Sequence, residues 1–130
     1  MTAHARFSAD FAMRPIWNDI SMREYDVLYT LAKRGEGTRM CELRSAVLIS
    51  QPGISRLVDR LVTRGLLVRE ADPDDGRAVR IRLSDEGTRV QREIGQAHSR
   101  DVGRALRALE PGELEELTRL MRKLLDSREA

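Results

Sequence analysis

The clearest pattern in the chain lies between residues 50 and 64, where apolar positions recur at helical spacing. The apolar positions, three or four residues apart, are Ile54, Leu57, Val58, Leu61 and Val62. Pro52 suits the first turn of a helix and Gly65 suits the position just after its end. The pattern predicts an amphipathic helix that buries its apolar stripe and turns Arg56 and Arg60 away from the core.

Two further helices are predicted directly before this one. Ser21 and Glu24 have the spacing of a capping box, ahead of an apolar run that ends near Gly35. A short helix is predicted from about Cys41 to Val47, and Ser50 is predicted to cap the helix that follows. Because only three residues separate these last two helices, the spacing indicates a helix-turn-helix.

Two β-rich runs, residues 66–71 and 79–83, follow directly. In the second run Val79, Ile81 and Leu83 alternate with arginines, which is the period of a strand. The segment between the runs is rich in Asp, Pro and Gly and predicts a hairpin turn. A helix-turn-helix followed by a hairpin is a winged helix. We therefore expect a fold that is mainly α with a small β-hairpin.

The polar face of the central helix allows two interpretations. Arg56 and Arg60 could meet a DNA phosphate backbone, with Gln51, Ser55 or Arg56 reading base edges in the major groove. Alternatively, the arginines only solvate the outside of an amphipathic helix. Arg77, at the predicted wing tip, favours the first interpretation. Three wing aspartates oppose it unless turn geometry or an arginine partner neutralises them: Asp72, Asp74 and Asp75.

Composition adds little to this picture. A formal net charge of +2 permits a nucleic-acid partner without requiring one. Cys41 is the single cysteine, which excludes an intramolecular disulfide and suits a reducing compartment. No apolar run approaches the ~18 residues of a membrane span, and the first residues lack the apolar core of a signal peptide. We expect one soluble, cytoplasmic domain.

No arrangement of residues indicates an enzyme. His4 and His98 are too isolated to form a metal site, and we expect neither a metal nor a cofactor. The sequence contains no glycine-rich phosphate loop and no nucleophile elbow.

Both ends of the chain carry apolar stripes. Phe7 and Phe11 lie one turn apart in a helix predicted over about residues 3–16. A long arginine-rich helix is predicted over about 85–109. The stripe on the terminal helix consists of Leu114, Leu117, Leu120, Met121, Leu124 and Leu125. The two stripes could pack on each other within one chain or on a second subunit.

In this order the segments resemble the MarR family of bacterial transcriptional regulators, over almost the whole chain. ISMREYDVLYTL is similar to the family's second helix, RMCELRSAVLISQPGISRLVDRLVTRGLLVRE to its reading-head helices, and DPDDGRAVRIRLSDEG to its wing and next helix. The most specific elements are Asp75-Gly76-Arg77 and the L-[ST]-x-x-G pattern that begins at Leu83. The chain departs from many relatives at Gly76, where they place another arginine, and in its shorter N-terminal helix.

The resemblance implies a winged helix-turn-helix region over residues 20–84, flanked by helical dimerisation regions over 1–19 and 85–130. The helix from Ser50 to Arg64 would enter the major groove and Arg77 the adjacent minor groove, with Asp75 holding the wing or Arg77 in place. The implied DNA contacts are Ser50, Gln51, Pro52, Gly53, Ser55, Arg56, Arg60, Asp75 and Arg77. A two-fold homodimer would bind pseudo-palindromic half-sites of double-stranded DNA.

The resemblance further implies a small aromatic effector, held in a crevice beside the reading head. The crevice candidates are Phe11, Trp17, Tyr25, Tyr29 and His98, each of which could equally be ordinary core packing. The predicted function is a DNA-binding repressor of nearby genes that an effector releases. Two alternatives stay open, a winged-helix protein-interaction module and a redox-sensing regulator that uses Cys41.

Overall fold

The computed structural model describes residues 2–17, 19–35, 37–47 and 51–129. Its helices and strands are α1 (Ala3–Ala12), α2 (Met22–Arg34), β1 (Thr38–Arg39), α3 (Met40–Ala46), α4 (Gln51–Thr63), β2 (Leu67–Ala71), β3 (Val79–Leu83), α5 (Asp85–Ala105) and α6 (Pro111–Glu129). Short 3₁₀ helices occupy Pro15–Trp17 and Leu106–Ala108. The chain divides into two compact units, Met1–Ala97 and His98–Ala130, and each is described by itself.

The capping box predicted at the start of α2 is confirmed. Glu24 N donates to Ser21 Oγ over 3.0 Å, and Ser21 N donates to Glu24 Oε1 over 3.1 Å. These two bonds satisfy backbone N–H groups that the first turn of a helix leaves without a partner. The helix ends at Gly35, whose φ of 71° is a conformation that glycine adopts without a steric penalty.

The core of the first unit lies where α2, α3 and α4 pack against the sheet. The stripe predicted on α4 is confirmed as its centre, because four of its five residues are buried and Val62 is half-buried. The buried apolar residues of these helices and of the sheet are Val27, Leu28, Leu31, Leu43, Ile54, Leu57, Val58, Leu61, Leu67 and Ile81. The amphipathic pattern therefore positions α4 with its polar face outward.

The sheet has three antiparallel strands in the order β1-β3-β2, one more than the predicted hairpin. The hairpin itself is confirmed, with Leu67 opposite Leu83 and Ala71 opposite Val79. The additional strand, β1, pairs Thr38 with Ile81. Since β1 has only two residues, it carries no alternation from which a strand could have been predicted.

Two predicted helix boundaries were wrong, and a third differs by one residue. The helix expected over about 3–16 ends at Ala12, because Pro15 lacks an N–H donor and disfavours the helical conformation in the residue before it. The α-helix expected to reach residue 109 ends at Ala105 and continues as a 3₁₀ turn. The short third helix runs one residue earlier than expected, over Met40–Ala46. The predicted cap at Ser50 lies outside the described residues.

The L-[ST]-x-x-G pattern joins the end of α4 to the start of α5. Ser84 Oγ donates to the carbonyl oxygen of Gly65 over 2.6 Å and accepts from Gly87 N over 2.9 Å. Ser84 N donates to Leu66 O over 3.0 Å. At Gly87 a Cβ atom would collide with that same carbonyl oxygen. The serine therefore caps α5, and the glycine allows α5 to approach the turn that follows α4.

In the second unit, α6 leaves its apolar stripe in solvent. Leu124 and Leu125 are 63% and 61% exposed in the single chain. The other strongly exposed members of the stripe are Leu117, Leu120 and Met121, whereas Leu114 is half-buried. Within the described ranges, every helix is too short or too polar to cross a membrane.

Candidate nucleic-acid interface

The outward face of α4 carries two arginines whose charge is not neutralised locally. Arg56 and Arg60 are exposed, and neither forms an ion pair with any residue that the structure describes. Asp59, which lies between them in the sequence, pairs instead with Arg69 of β2. The carboxylate is thus drawn away to the sheet, and the helix face keeps its positive charge.

Ser55 is half-buried and is already engaged within the protein. Its Oγ accepts a hydrogen bond from Arg44 Nη2 of α3 over 3.1 Å. Within the described part of the chain, the buried Nε atom of Arg44 makes no hydrogen bond. Ser55 therefore links the two helices of the helix-turn-helix. The next side chain, Arg56, is exposed. Gly53 is half-buried, and Ser50 and the side chains of Gln51 and Pro52 lie outside the described residues.

The wing turn is ordered by hydrogen bonds to the backbone. Asp75 Oδ1 accepts from Arg77 N over 3.1 Å, and Asp75 O accepts from Ala78 N over 3.0 Å. At the base of the turn, Asp72 N donates to Ala78 O over 3.0 Å. The side chain of Arg77 is exposed and has no ion-pair partner among the described residues. These bonds fix the backbone from which Arg77 projects.

Asp72 is the buried charge of the wing. Its Oδ1 accepts from Asp74 N over 2.8 Å, while its Oδ2 accepts from Arg39 Nε over 2.6 Å and from Arg80 Nε over 3.1 Å. The bond from the Asp74 backbone, together with those from the two arginines, holds the pKa of the Asp72 carboxyl well below its usual range, against the opposing effect of burial. Asp72 is therefore a neutralised charge.

The sequence analysis proposed turn geometry or an arginine partner as ways to neutralise the wing aspartates, and it did not identify which arginines would pair with Asp72. Arg39 stands 33 positions before Asp72 in the chain, on the strand that the sequence did not reveal. Arg80 lies on β3. Its side chain occupies space beside Gly37, where an added Cβ atom would lie 3.1 Å from Arg80 Cβ. The alternation of arginines along β3 was the one available signal for Arg80.

Four of the five crevice candidates come together in the first unit. Trp17 Nε1 donates to Phe11 O over 2.6 Å, and the Trp17 ring meets Tyr25 edge-on at 5.6 Å between centroids. The ring centroid of Tyr29 lies 6.1 Å from that of Tyr25 on the same helix. Trp17 belongs to the buried core, whereas Tyr29 is exposed. His98 is part of the second unit, where burial lowers its pKa.

Tyr25 is held at its hydroxyl by α5. Gln91 Nε2 donates to Tyr25 Oη over 3.5 Å, and a Cβ added at Gly95 would lie 2.9 Å from that oxygen. Burial raises the pKa of Tyr25, with the hydrogen bond from Gln91 acting in the opposite direction. The tyrosine is thus a neutral hydrogen-bonding group at ordinary pH.

Two of the other sequence-based candidates are exposed. Cys41 is a free thiol on the surface of α3, and Phe7 stacks on Phe11 at 6.1 Å with 45% of its surface exposed. Across the segments that the structure covers, no cluster of His, Cys, Asp and Glu side chains could hold a metal ion.

Comparisons with known proteins agree on one family. The model of the MarR family matches residues 18–78. YkoM of Bacillus subtilis, an uncharacterised helix-turn-helix-type transcriptional regulator, is 33% identical over 100 residues, which are 77% of this chain and 64% of that protein. The chain thus spans slightly less than two thirds of that relative.

Two solved structures share the fold over most of their length. The PcaV transcriptional regulator of Streptomyces coelicolor, in complex with its natural ligand, is 30% identical with a TM-score of 0.74, covering 96% of this chain and 90% of PcaV. A mutant of MarR from E. coli, complexed with operator DNA, is 23% identical with a TM-score of 0.80, covering 94% and 87%. The chain belongs to the MarR family of transcriptional regulators, which are not enzymes.

Proposed function

We propose that the chain is a homodimeric DNA-binding repressor of nearby genes. One observation carries the proposal: Arg56, Arg60 and Arg77 are exposed and lack ion pairs among the described residues, while neighbouring carboxylates are engaged within the protein. Asp59 pairs with Arg69, and Asp72 with Arg39 and Arg80. This separation leaves three surface arginines of the helix-turn-helix and the wing unpaired within the described part of the chain, and a polyanion could be bound there.

In this proposal α4 occupies the major groove. Arg56 and Arg60 would contact phosphates or base edges, and Gln51 would read a base, since an amide side chain can pair with two atoms of adenine there. Arg77 would enter the adjacent minor groove, where narrow A·T-rich steps attract arginine without a unique base code. Loss of a base-reading residue should cost ~1–3 kcal/mol at one base position.

The exposed stripe of α6 supports the homodimer. A soluble chain rarely leaves a run of leucines in water without a partner, and Leu117, Leu120 and Leu124 are 41%, 44% and 63% exposed. In this proposal a second copy covers the stripe, together with Phe7 and Phe11 of α1. The resulting two-fold axis would set two recognition helices about one turn of DNA apart, for a pseudo-palindromic operator.

The aromatic cluster of the first unit supports release by a small aromatic effector. The Trp17 and Tyr25 rings meet edge-on and the Tyr25 hydroxyl lies beside Gln91 of α5, and PcaV was solved with its natural ligand. An effector must bind the DNA-free shape more tightly than the DNA-bound shape, because affinity alone shifts no equilibrium. Because bacterial DNA lies in the cytoplasm, the proposal also places the protein there.

The proposal is tested by fluorescence-anisotropy titration of the protein against the DNA upstream of its own gene, beside a scrambled duplex, at two salt concentrations. A preference of about 10³-fold or more for the upstream DNA would establish a specific regulator. Equal and strongly salt-dependent binding to both duplexes would place the operator elsewhere in the genome. Absence of binding to either would contradict the proposal and favour a winged-helix module that binds protein.

A further inference from the structure

Two arginines converge on one buried carboxylate where the wing leaves the sheet. We call Arg39, Asp72 and Arg80 the wing-root cluster. Arg39 belongs to β1, Asp72 follows β2 and Arg80 lies on β3, so the cluster draws on all three strands. The Asp72 side chain has 0% exposure, whereas the arginine side chains keep 36% and 28%. The carboxylate is inside and the cations reach the surface.

The two arginines differ in what remains free on the guanidinium group. Each donates its Nε–H to Asp72 Oδ2. Arg80 Nη2 also lies 3.8 Å from Asp74 Oδ2, so its outer end is partly neutralised. The Nη atoms of Arg39 make no hydrogen bond with any described residue, and Asp75 and Glu42 act on its charge only through space. Arg39 therefore keeps four N–H donors in a fixed orientation, which suits a phosphate.

Arg39 adjoins the helix-turn-helix in the chain and the wing through its bond to Asp72. Arg39 is the residue immediately before α3, the first helix of the helix-turn-helix, and its side chain does not cap that helix. In proteins of this architecture the first helix crosses the DNA backbone while the second enters the groove. Arg39 thus stands between the helix that crosses the backbone and the wing that carries Arg77.

We propose that Arg39 binds a DNA phosphate and that Asp72 is the positioning residue that orients it. The inference rests on the proposed DNA-binding function. A pre-oriented arginine loses less side-chain entropy on binding than a free one. The charge of the buried aspartate opposes DNA binding by its sign, but the aspartate improves binding by restricting the arginine beside it.

The competing explanation is that the cluster only holds the three strands together. The two explanations differ in the sign of one effect. If charge alone governs, Asp72→Asn removes a negative charge and tightens DNA binding. If Asp72 orients Arg39, the same substitution releases the arginine and weakens binding. The double variant then separates the two, because Asp72 acting through Arg39 has no effect once Arg39 is replaced.

The first experiment compares salt dependence of affinity for Arg39→Ala, Arg82→Ala and Arg77→Ala, using the duplex that the wild-type protein binds. Arg82 is a matched control, since it lies two residues from Arg80 on the same strand and pairs with exposed Glu70. Loss of one phosphate contact per chain lowers the slope of log K against log salt by about 0.9. For each chain, the loss of affinity of Arg39→Ala relative to the wild type should thus shrink by a factor of about 3.5 between about 50 and 200 mM salt. Arg82→Ala should keep the wild-type slope.

The second experiment measures Asp72→Asn and the Arg39→Ala/Asp72→Asn double variant, with thermal unfolding of each. Weaker binding by Asp72→Asn, and a double variant no weaker than Arg39→Ala, support the inference. Tighter binding by Asp72→Asn overturns the positioning role. If Asp72→Asn fails to fold, Arg39→Lys is measured in its place. A lysine keeps the charge but has no Nε–H for Asp72, so it should restore less than half of the affinity that Arg39→Ala loses. Full restoration would overturn the positioning role.

Arg77→Ala shows whether a negative result overturns only the role of Arg39 or the proposed DNA-binding function as well. A wild-type slope for Arg39→Ala combined with weakened binding by Arg77→Ala overturns the inference and leaves the proposed function intact. Unchanged binding by both variants overturns the proposed interface and the inference together.

Discussion

Leucines in the first unit and leucines in α6 meet opposite environments. Leu28, Leu43 and Leu61 have 0% exposure within one chain, whereas Leu124 and Leu125 of α6 are more than 60% exposed. Burying a leucine is worth about 1.5–3 kcal/mol, so the first group already stabilises the single chain and the second does not. Substitutions in the winged helix should therefore act on folding, and substitutions in α6 on association.

The largest effect is expected where the backbone of α5 touches the turn after α4. Gly87→Ala would place a Cβ against the carbonyl oxygen of Leu66, and backbone cannot move aside as a side-chain end can. We expect the free energy of unfolding to fall by about 3 kcal/mol or more, measured by urea denaturation at fixed protein concentration.

Gly112→Ala of α6 is the matched control for this glycine. A Cβ at Gly112 meets no described atom within 4 Å, so alanine should stabilise the helix by up to about 1 kcal/mol. Equal stability of the two variants would show that the junction between α4 and α5 is not as tight as the structure indicates.

A leucine-to-alanine pair tests the comparison directly. Leu61→Ala should lower the free energy of unfolding by about 2–5 kcal/mol at every protein concentration, because it opens a cavity in the core. Leu124→Ala should leave unfolding of the dilute monomer unchanged and raise the dissociation constant of the proposed dimer, measured by sedimentation equilibrium. If Leu124→Ala destabilised the dilute chain as much as Leu61→Ala does, α6 would already have its partner within the chain.

Elements fixed by neighbouring residues could be predicted from sequence. The stripe of α4 follows from spacing alone, and the capping box of Ser21 and Glu24 needs only four consecutive positions. The hairpin follows from alternation along β3 and a turn rich in Asp and Gly. These patterns carry the fold because local geometry decides which way each side chain points.

Features that depend on distant residues could not be predicted in this way. Ser55 was one of three residues expected to probe base edges. Its hydrogen bond from Arg44 had no signal in the sequence, because the angle between α3 and α4 is set by tertiary packing. Asp72 needed a cation, but Arg39 reaches it only through a two-residue strand that leaves no pattern. The missed features are long-range polar contacts.

A smaller effect is expected at the cap of α5. Ser84→Ala removes the bond to Gly65 O and the acceptor for Gly87 N, which should lower the free energy of unfolding by about 1 kcal/mol. Ser127 of α6 is the matched control, since its hydroxyl only donates to Leu124 O on an exposed helix. Ser127→Ala should change stability by less than about 0.5 kcal/mol, and a loss equal to that of Ser84→Ala would remove the distinction between the two regions.

The smallest effect is a pH dependence confined to acid solution. The folded-state pKa of Asp72 is depressed, so the unfolded chain binds more protons than the folded chain below about pH 5. The contribution of Asp72 to stability is therefore full above the unfolded pKa of about 3.9 and is lost as pH falls below that value. Glu116 of α6 also has a lowered pKa, owing to its hydrogen bond from Arg119, but both side chains are more than half exposed, and solvent screens such pairs.

Urea unfolding at pH 7, 5, 4 and 3 separates these two carboxylates. Asp72→Asn should flatten the loss of stability between pH 5 and pH 3, because an amide has no proton to gain, whereas Glu116→Gln should leave that loss as it is in the wild type. If the two variants had the same acid profile, the buried carboxylate would contribute no more than the exposed one. The wing would then owe its order to the turn hydrogen bonds of Asp75 rather than to the wing-root cluster.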